Sequence, residues 1–183
     1  MMMPEDLTFE EPHAGLQDSY RDLVREFRDV GEPLVPFPLN FPNDDFSGFL
    51  VRLAACARGE GLPPGWVPHT TYWLVSHGEV VGVSNLRHAL TESLRREGGN
   101  IGYGVRPSVR RRGFAGEMLR RTLTRSRNMG MSKVLLTCGK NNLASVRTIL
   151  GNGGVFASEE FLPERDEAVQ RYWIELLPAT QAP

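Results

Sequence analysis

Hydrophobic and polar positions change period several times along the chain, and those changes predict its elements. A short β-rich run covers residues 7–10. Leu16, Tyr20, Leu23, Val24, Phe27 and Val30 then recur at helical spacing, which predicts a helix with one apolar and one charged face. Gly31 and Pro33 stop it. Four prolines within residues 33–43 predict an irregular, stiff connector rich in aromatic side chains. Asn43 or Asp44 is placed to cap a second helix, whose inner face is Phe46, Phe49, Leu50, Leu53 and Ala57. Residues 59–68 read as loop.

The period then shortens to two. Residues 71–75 and 80–83 are β-rich and flank Ser76-His77-Gly78-Glu79, which predicts a hairpin with Gly78 at positive φ. Residues 86–99 read as an excursion holding one or two short helical turns. Residues 101–105 form a third strand of this region, closed by Pro107. A helix follows over 114–127 with Ala115, Met118, Leu119, Thr122 and Ser126 inward. The apolar run 134–138 reads as a strand buried on both faces. Residues 142–150 predict a helix with Leu143, Val146, Ile149 and Leu150 inward, and 155–161 with 169–176 an antiparallel pair. Residues 177–183 read as a frayed tail. The order β-α-α-β-β-β-α-β-α-β-β predicts one α/β domain over residues 1–183, with a mixed central β-sheet flanked by helices.

Composition narrows the class. The chain has 183 residues, 40% hydrophobic and 23% charged, which suits one compact domain and excludes a disordered or collagen-like chain. No apolar run approaches the ~20 residues of a membrane span. The start, MMMPEDLTFEEP, lacks the basic and apolar regions of a secretory signal. A cytoplasmic protein is expected. Cys56 and Cys138 show no metal-ligand spacing and read as free buried thiols, so no metal is expected. The net charge of -1 hides an asymmetry: residues 1–60 hold 12 Asp/Glu against 5 Arg, whereas residues 106–127 hold eight arginines and one acid, Glu117. Such segregation suggests a site that meets an anion.

The stretch that carries chemistry is IGYGVRPSVRRRGFAGEML, residues 101–119. A strand ends at Val105, Pro107 forbids its continuation, and a glycine-containing turn feeds straight into an amphipathic helix. The first turn of such a helix offers backbone N–H groups without intrahelical partners. Gly113 and Ala115 keep side-chain bulk away from them, and Arg110, Arg111 and Arg112 add positive charge, so the segment reads as a phosphate cradle. It contains neither GxxxxGK[ST] nor a complete GxGxxG, which points to a pyrophosphate ligand other than ATP or NAD.

Arg110-x-x-Gly113-x-Ala115, after a strand that ends Val-x-Pro, resembles the acyl-CoA signature R/Q-x-x-G-x-G/A of the GNAT N-acetyltransferase family. VLLTCGKNNLASVRTILGNGG resembles the family's next strand and helix, with Asn142 and Ser145 at the N-x-x-S/A positions. The likeness runs through residues 70–176, and GGNIGYGVRPS, NGG and RYWI resemble a branch of predicted acetyltransferases. It implies a GNAT-like domain whose strands 101–105 and 134–138 splay apart to admit acetyl-CoA as acyl donor. The implied cofactor-binding set is Gly104, Val105, Arg110, Arg111, Arg112, Gly113, Phe114, Ala115, Asn142 and Ser145. The implied reaction is acetyl transfer by direct attack of a primary amine, on a small molecule or a protein.

Catalytic groups are less legible. Ile149 occupies the position where many relatives carry a tyrosine that protonates the leaving thiolate. Tyr103 is the candidate substitute. Glu97 and His88 are candidate bases, and a water-mediated route is the default. Phe37, Phe41, Trp66 and Trp73 are candidates for the wall of an acceptor site lying between residues 33–43 and 162–166. Asp44, Asp45, Glu164 and Asp166 are candidates to attract an ammonium. Two other readings compete: a GNAT fold that binds acyl-CoA without catalysis, as sensor or scaffold, and, more weakly, an arginine-rich nucleic-acid-binding module. No membrane partner is expected. Relatives often dimerise, which leaves a homodimer open.

Overall fold

The computed structural model describes residues 6–176; the tail at 177–183 lies outside them. Among the described residues seven strands and four of five α-helices follow the predicted order, and the remaining helix lies inside the excursion at 86–99. β1 (Thr8–Glu10), β2 (His69–Ser76), β3 (Glu79–Arg87) and β4 (Ile101–Val105) form one sheet in that order. β5 (Lys133–Gly139), β7 (Glu167–Glu175) and β6 (Val155–Leu162) form a second, with β7 in the middle. Every paired ladder is antiparallel. The expected mixed sheet is therefore corrected to two antiparallel sheets. The pair that would have joined them, β4 and β5, forms no ladder and is linked by hydrogen bonds of the residues just before β4.

The local chemistry explains the boundaries. His77 and Gly78 both have positive φ, 51° and 75°, which matches the right-handed twist of the β2–β3 hairpin. α1 (Gln17–Asp29) buries Tyr20, Leu23, Val24 and Phe27, the stripe read from the sequence. α2 (Phe46–Arg58) is capped by neither Asn43 nor Asp44 but by Asp45, whose carboxylate accepts from the Gly48 N–H at 3.0 Å. The proline-rich connector holds one short 3-10 turn, Phe37–Asn40. α3 (Glu92–Arg96) is a short helix within the excursion, where one or two turns are expected. α4 (Phe114–Asn128) buries Met118, Leu119, Thr122 and Ser126, and also Phe114 and Leu123.

α5 (Leu143–Gly151) departs from expectation. Ile149 is buried, but Leu143 and Leu150 are 59% and 51% exposed. Its apolar positions span an arc of about 120° at ~100° per residue, and only the Ile149 side of that arc meets the sheets. β5 buries Val134, Leu135 and Leu136, while Thr137 and Cys138 are only half-buried beside the open edge toward β4.

The four-stranded sheet divides two cores. One face carries Tyr72, Leu74, Val81, Leu86 and Ile101 and packs on α4 and α5. The other carries Trp73, Val75, Val80 and Val83 and packs on α1 and α2. Alternation along each strand makes this division. It is broken once at the register shift between Leu74 and Val75, across which Val80 comes to share a face with Val83, and Val81 with Leu86.

Candidate active site

Asn100, just before β4, joins the two sheets, beside the Gly98 N–H, which donates to the Thr137 hydroxyl of β5 at 2.8 Å. The Asn100 N–H donates to the Leu135 carbonyl at 2.7 Å, and its side-chain oxygen accepts from the Leu135 N–H at 2.8 Å. Its amide nitrogen donates to the Arg87 carbonyl at 3.2 Å. Beyond this joint β4 and β5 share no ladder. Tyr103 and Val105 from β4, Cys138 from β5 and Val146 from α5 are half-buried around the opening, on the α4 side.

At the end of β4 the chain turns into α4. Gly113 is the N-cap, with φ 88° and no side chain capping the helix. Its left-handed conformation aims the first amides of α4 outward, and an L-residue there is strained. Arg111 (φ 63°), Arg112 and Gly113 are exposed. This is the segment that the sequence reading assigns to a phosphate, and two of its side chains are engaged elsewhere. Arg110 is turned away: Nη1 and Nη2 grip the Glu32 carboxylate at 2.7 and 2.6 Å, and Nε donates to the Val105 carbonyl at 3.1 Å. The Phe114 ring is in the core, so only its backbone faces the cradle. Ala115 is half-buried in the first turn.

Gly104 is small for a reason the sequence did not reveal. A Cβ there would collide with the carbonyl oxygen of Val35, because the connector after α1 crosses directly over β4. Asn142 caps α5 by accepting from the Ser145 N–H at 3.1 Å. Ser145 is half-buried and, with Thr148, lies beside the Tyr103 hydroxyl. That hydroxyl is buried without a well-formed hydrogen bond, and burial pushes its pKa up to about 12. Burial, helped by Glu167, pushes the Cys138 thiol to about 11, which keeps it protonated and unreactive.

The two candidate bases do not reach the opening. Glu97 pairs with Arg165 at the surface. His88 bonds to the Thr70 hydroxyl at 2.9 Å, on the same sheet face as Tyr72 and Leu74, and burial lowers its pKa. Two arginines further along α4, Arg120 and Arg121, both clasp Glu117, and their hydrogen bonds lower its carboxyl to about 2.

A cavity of about 430 Å³ opens on the opposite face, beside α3. Of the four aromatic wall candidates, Phe37, Phe41 and Trp66 line it, whereas Trp73 is fully buried in the core. The far wall is not residues 162–166 but Thr91, Ser93 and Leu94. The 162–166 loop braces that wall instead, through Glu164 on Arg96 at 2.7 Å and Arg165 on Glu97. Asp45 is spent on the α2 cap, and Glu164 on Arg96, so neither faces the cavity.

His69 and Arg87 are the cavity residues that sequence reasoning missed. Extending the period-two pattern back by two residues from Thr71 puts His69 on the face of Trp73, and that was the available signal. Arg87 also reaches β4, since a Cβ on Gly102 would lie 3.9 Å from its guanidinium.

A family model described as acetyltransferase (GNAT) domain matches residues 40–155. Among curated protein sequences, none matches significantly. Solved structures do match in fold. One is RimL, a ribosomal L7/L12 α-N-protein acetyltransferase in complex with coenzyme A, with TM-score 0.70 and 14% identity over 96% of this chain and 97% of that one. Another is yncA, described as a putative acetyltransferase, from Salmonella typhimurium with acetyl-CoA, with TM-score 0.63 and 12% identity over 95% and 96% of the two chains. A third is a spermidine N-acetyltransferase SpeG chimera from Vibrio cholerae and hSSAT, with TM-score 0.62 and 16% identity over 94% and 96%. At these identities the likeness is one of fold. The family match, which spans the joint, the opening and the cradle, places the chain among the GNAT acetyltransferases.

Proposed function

We propose that this chain is an acetyl-CoA-dependent N-acetyltransferase that acylates a primary amine by direct attack. The observation that carries the reading is the uncapped N-terminus of α4 at Gly113, set at the mouth of the opening between β4 and β5. The first amides of α4, with Arg111 and Arg112, hold the pyrophosphate. The pantetheine arm enters between β4 and β5, beside Val105, Cys138 and Tyr103. Fold neighbours in complex with coenzyme A and acetyl-CoA support this donor.

An ammonium with a lysine-like pKa near ~10.4 must lose its proton before attack. Among the described residues no carboxylate lines the cavity, so the proton goes to water. The amine lone pair adds to the thioester carbonyl. The C–S bond then breaks, and the thiolate departs with its electron pair, a leaving group of pKa about 8.5. The proton that the acylated nitrogen sheds passes through water to that sulfur, leaving the neutral amide and CoA thiol. The Tyr103 hydroxyl keeps its own proton at neutral pH and donates a hydrogen bond to that sulfur. Asn142 and Ser145 hold the start of α5 against the arm.

Calorimetric titration with acetyl-CoA, with ATP and NAD as controls, tests the donor. Selective binding is expected, and CoA-thiol release with an amine panel then separates a transferase from a silent binder. Gly113→Glu places bulk and negative charge on the cradle in a backbone conformation that disfavours side chains. It should weaken acetyl-CoA by at least about tenfold. A folded Gly113→Glu protein with unchanged affinity would remove the reading.

A further inference from the structure

We propose that the cavity beside α3 is the acceptor site and selects a small amine that carries both an apolar body and a carboxylate, such as an α-amino acid with an aromatic or branched side chain. This deepens the acetyltransferase reading and rests on it.

His69 and Arg87 are directly opposite each other in the β2–β3 register, so their side chains are neighbours on one face. Both line the cavity. His69 is 1% exposed, and its Nδ1 accepts from the Asn85 amide at 3.0 Å. The neutral ring therefore carries its proton on Nε2, a buried donor that finds no partner. Arg87 spends Nη1 on the carbonyls of Gly98 and Gly99, at 2.9 and 3.1 Å, and meets no carboxylate among the described residues. A guanidinium stays charged, and a part-buried charge without a counter-ion is costly unless a ligand supplies one. Arg52, stacked 3.8 Å over the Phe41 ring, adds a second cation nearby. No Asp or Glu lines the cavity.

Two donors in one cavity wall that holds no acidic side chain suit an anion. The remaining wall specifies its attachment. Phe37 meets the His69 ring edge-on at 4.8 Å and the Trp66 ring at 5.0 Å, and with Phe41 these rings form an apolar box. The volume lies in the range of pockets that enclose small molecules. A carboxylate between Arg87 and His69 puts a side chain into the box. An amine two bonds from that carboxylate is left beside Gly102 of β4, where Arg87 abuts the strand that borders the donor's opening. A polyamine has no partner here, and two cations oppose it.

The test compares phenylalanine, its decarboxylated amine phenethylamine, and spermidine as acceptors at saturating acetyl-CoA, read by CoA release. Phenylalanine should exceed phenethylamine in kcat/KM by about tenfold to a hundredfold, the worth of charge-assisted hydrogen bonds, and spermidine should be the poorest. In Arg87→Met the preference for the acid over the amine should collapse toward unity. Because Arg87 also holds the Gly98–Gly99 carbonyls, Trp66→Ala, a loop change, is the second variant, and it should raise the KM for phenylalanine about tenfold. Calorimetric binding of phenylalanine to the cofactor-free protein separates the two proposals. Saturable binding that Arg87→Met weakens supports the site even if no amine is turned over. A protein that binds acetyl-CoA yet prefers phenethylamine or spermidine, or fails to bind phenylalanine, overturns the site and leaves the acetyltransferase reading standing.

Discussion

Tyr103 holds a hydroxyl that is buried, unpartnered and set beside Ser145 and Thr148. A buried polar group without a partner costs stability, so its placement has two opposed effects. Tyr103→Phe should raise the melting temperature slightly, by relieving that cost. It should also lower kcat about tenfold to a hundredfold while leaving the KM for acetyl-CoA nearly unchanged, because the hydrogen bond to sulfur forms as the bond breaks. A fall in melting temperature together with unchanged kcat would mean the hydroxyl is merely packing. His69 has a separate signature. Burial, then the positive charges of Arg87, His88 and Arg52, lower its pKa from 6.5 to about 4. Between those values the unfolded chain binds a proton that the native chain refuses. Stability is therefore complete above about pH 6.5 and falls as pH drops toward 4. Denaturant titrations at pH 7 and pH 5 should differ by about 2 kcal/mol from this residue, and His69→Gln should remove that part of the difference.

At the scale of elements, the weight falls on the joint between β4 and β5. Asn100 is 2% exposed and ties the Arg87 carbonyl to the Leu135 N–H. Asn100→Ala leaves both groups buried without their side-chain partner, at a cost of about 2–4 kcal/mol in a urea transition. The same variant should weaken acetyl-CoA, since the joint fixes where the strands begin to part. Loss of stability without any loss of affinity would show that the opening is held elsewhere. The limits of the sequence are clearest here. The turn from β4 into α4 was readable because Pro107, Gly113 and the arginines act within a few residues of one another. Nothing beside Asn100 in the sequence announces its joining role, which depends on Leu135, 35 positions away. Arg110 looked like a phosphate ligand because nothing nearby announces Glu32, and only folding brings that carboxylate to it. Leu143 and Leu150 fitted an inward stripe, yet only tertiary packing decides how much of an apolar arc is covered. His69 was missed because the strand it begins was read from Thr71. The aromatic side chains of the connector could be assigned to a wall, while the polar pair that gives the wall a selectivity lies on β2 and β3.

For the whole molecule, the sheet of β1 to β4 is a partition. α4 and α5 pack on one face, and α1, α2 and the cavity beside α3 lie on the other. Ion pairs cross the boundary between the acidic and basic parts of the chain. Glu26 on α1 accepts from Arg106 at 2.6 Å and from the Ser108 N–H at 3.1 Å, and Glu32 grips Arg110. Among the described residues no helix is long and apolar enough to cross a membrane. The segregation of charge along the chain has a consequence for assembly. Cut in the exposed loop after α2, the protein becomes two polyions of opposite sign: the first piece holds α1 and α2, and the second holds the six strands from β2 onward. Each repels itself and attracts the other. Expressed separately and mixed at low salt, the pieces should recombine faster than about 10⁶ M⁻¹s⁻¹, and added salt should slow them steeply. Tyr20 on the first piece stacks 4.9 Å from Trp73 on the second, so indole fluorescence would time the moment of their reunion.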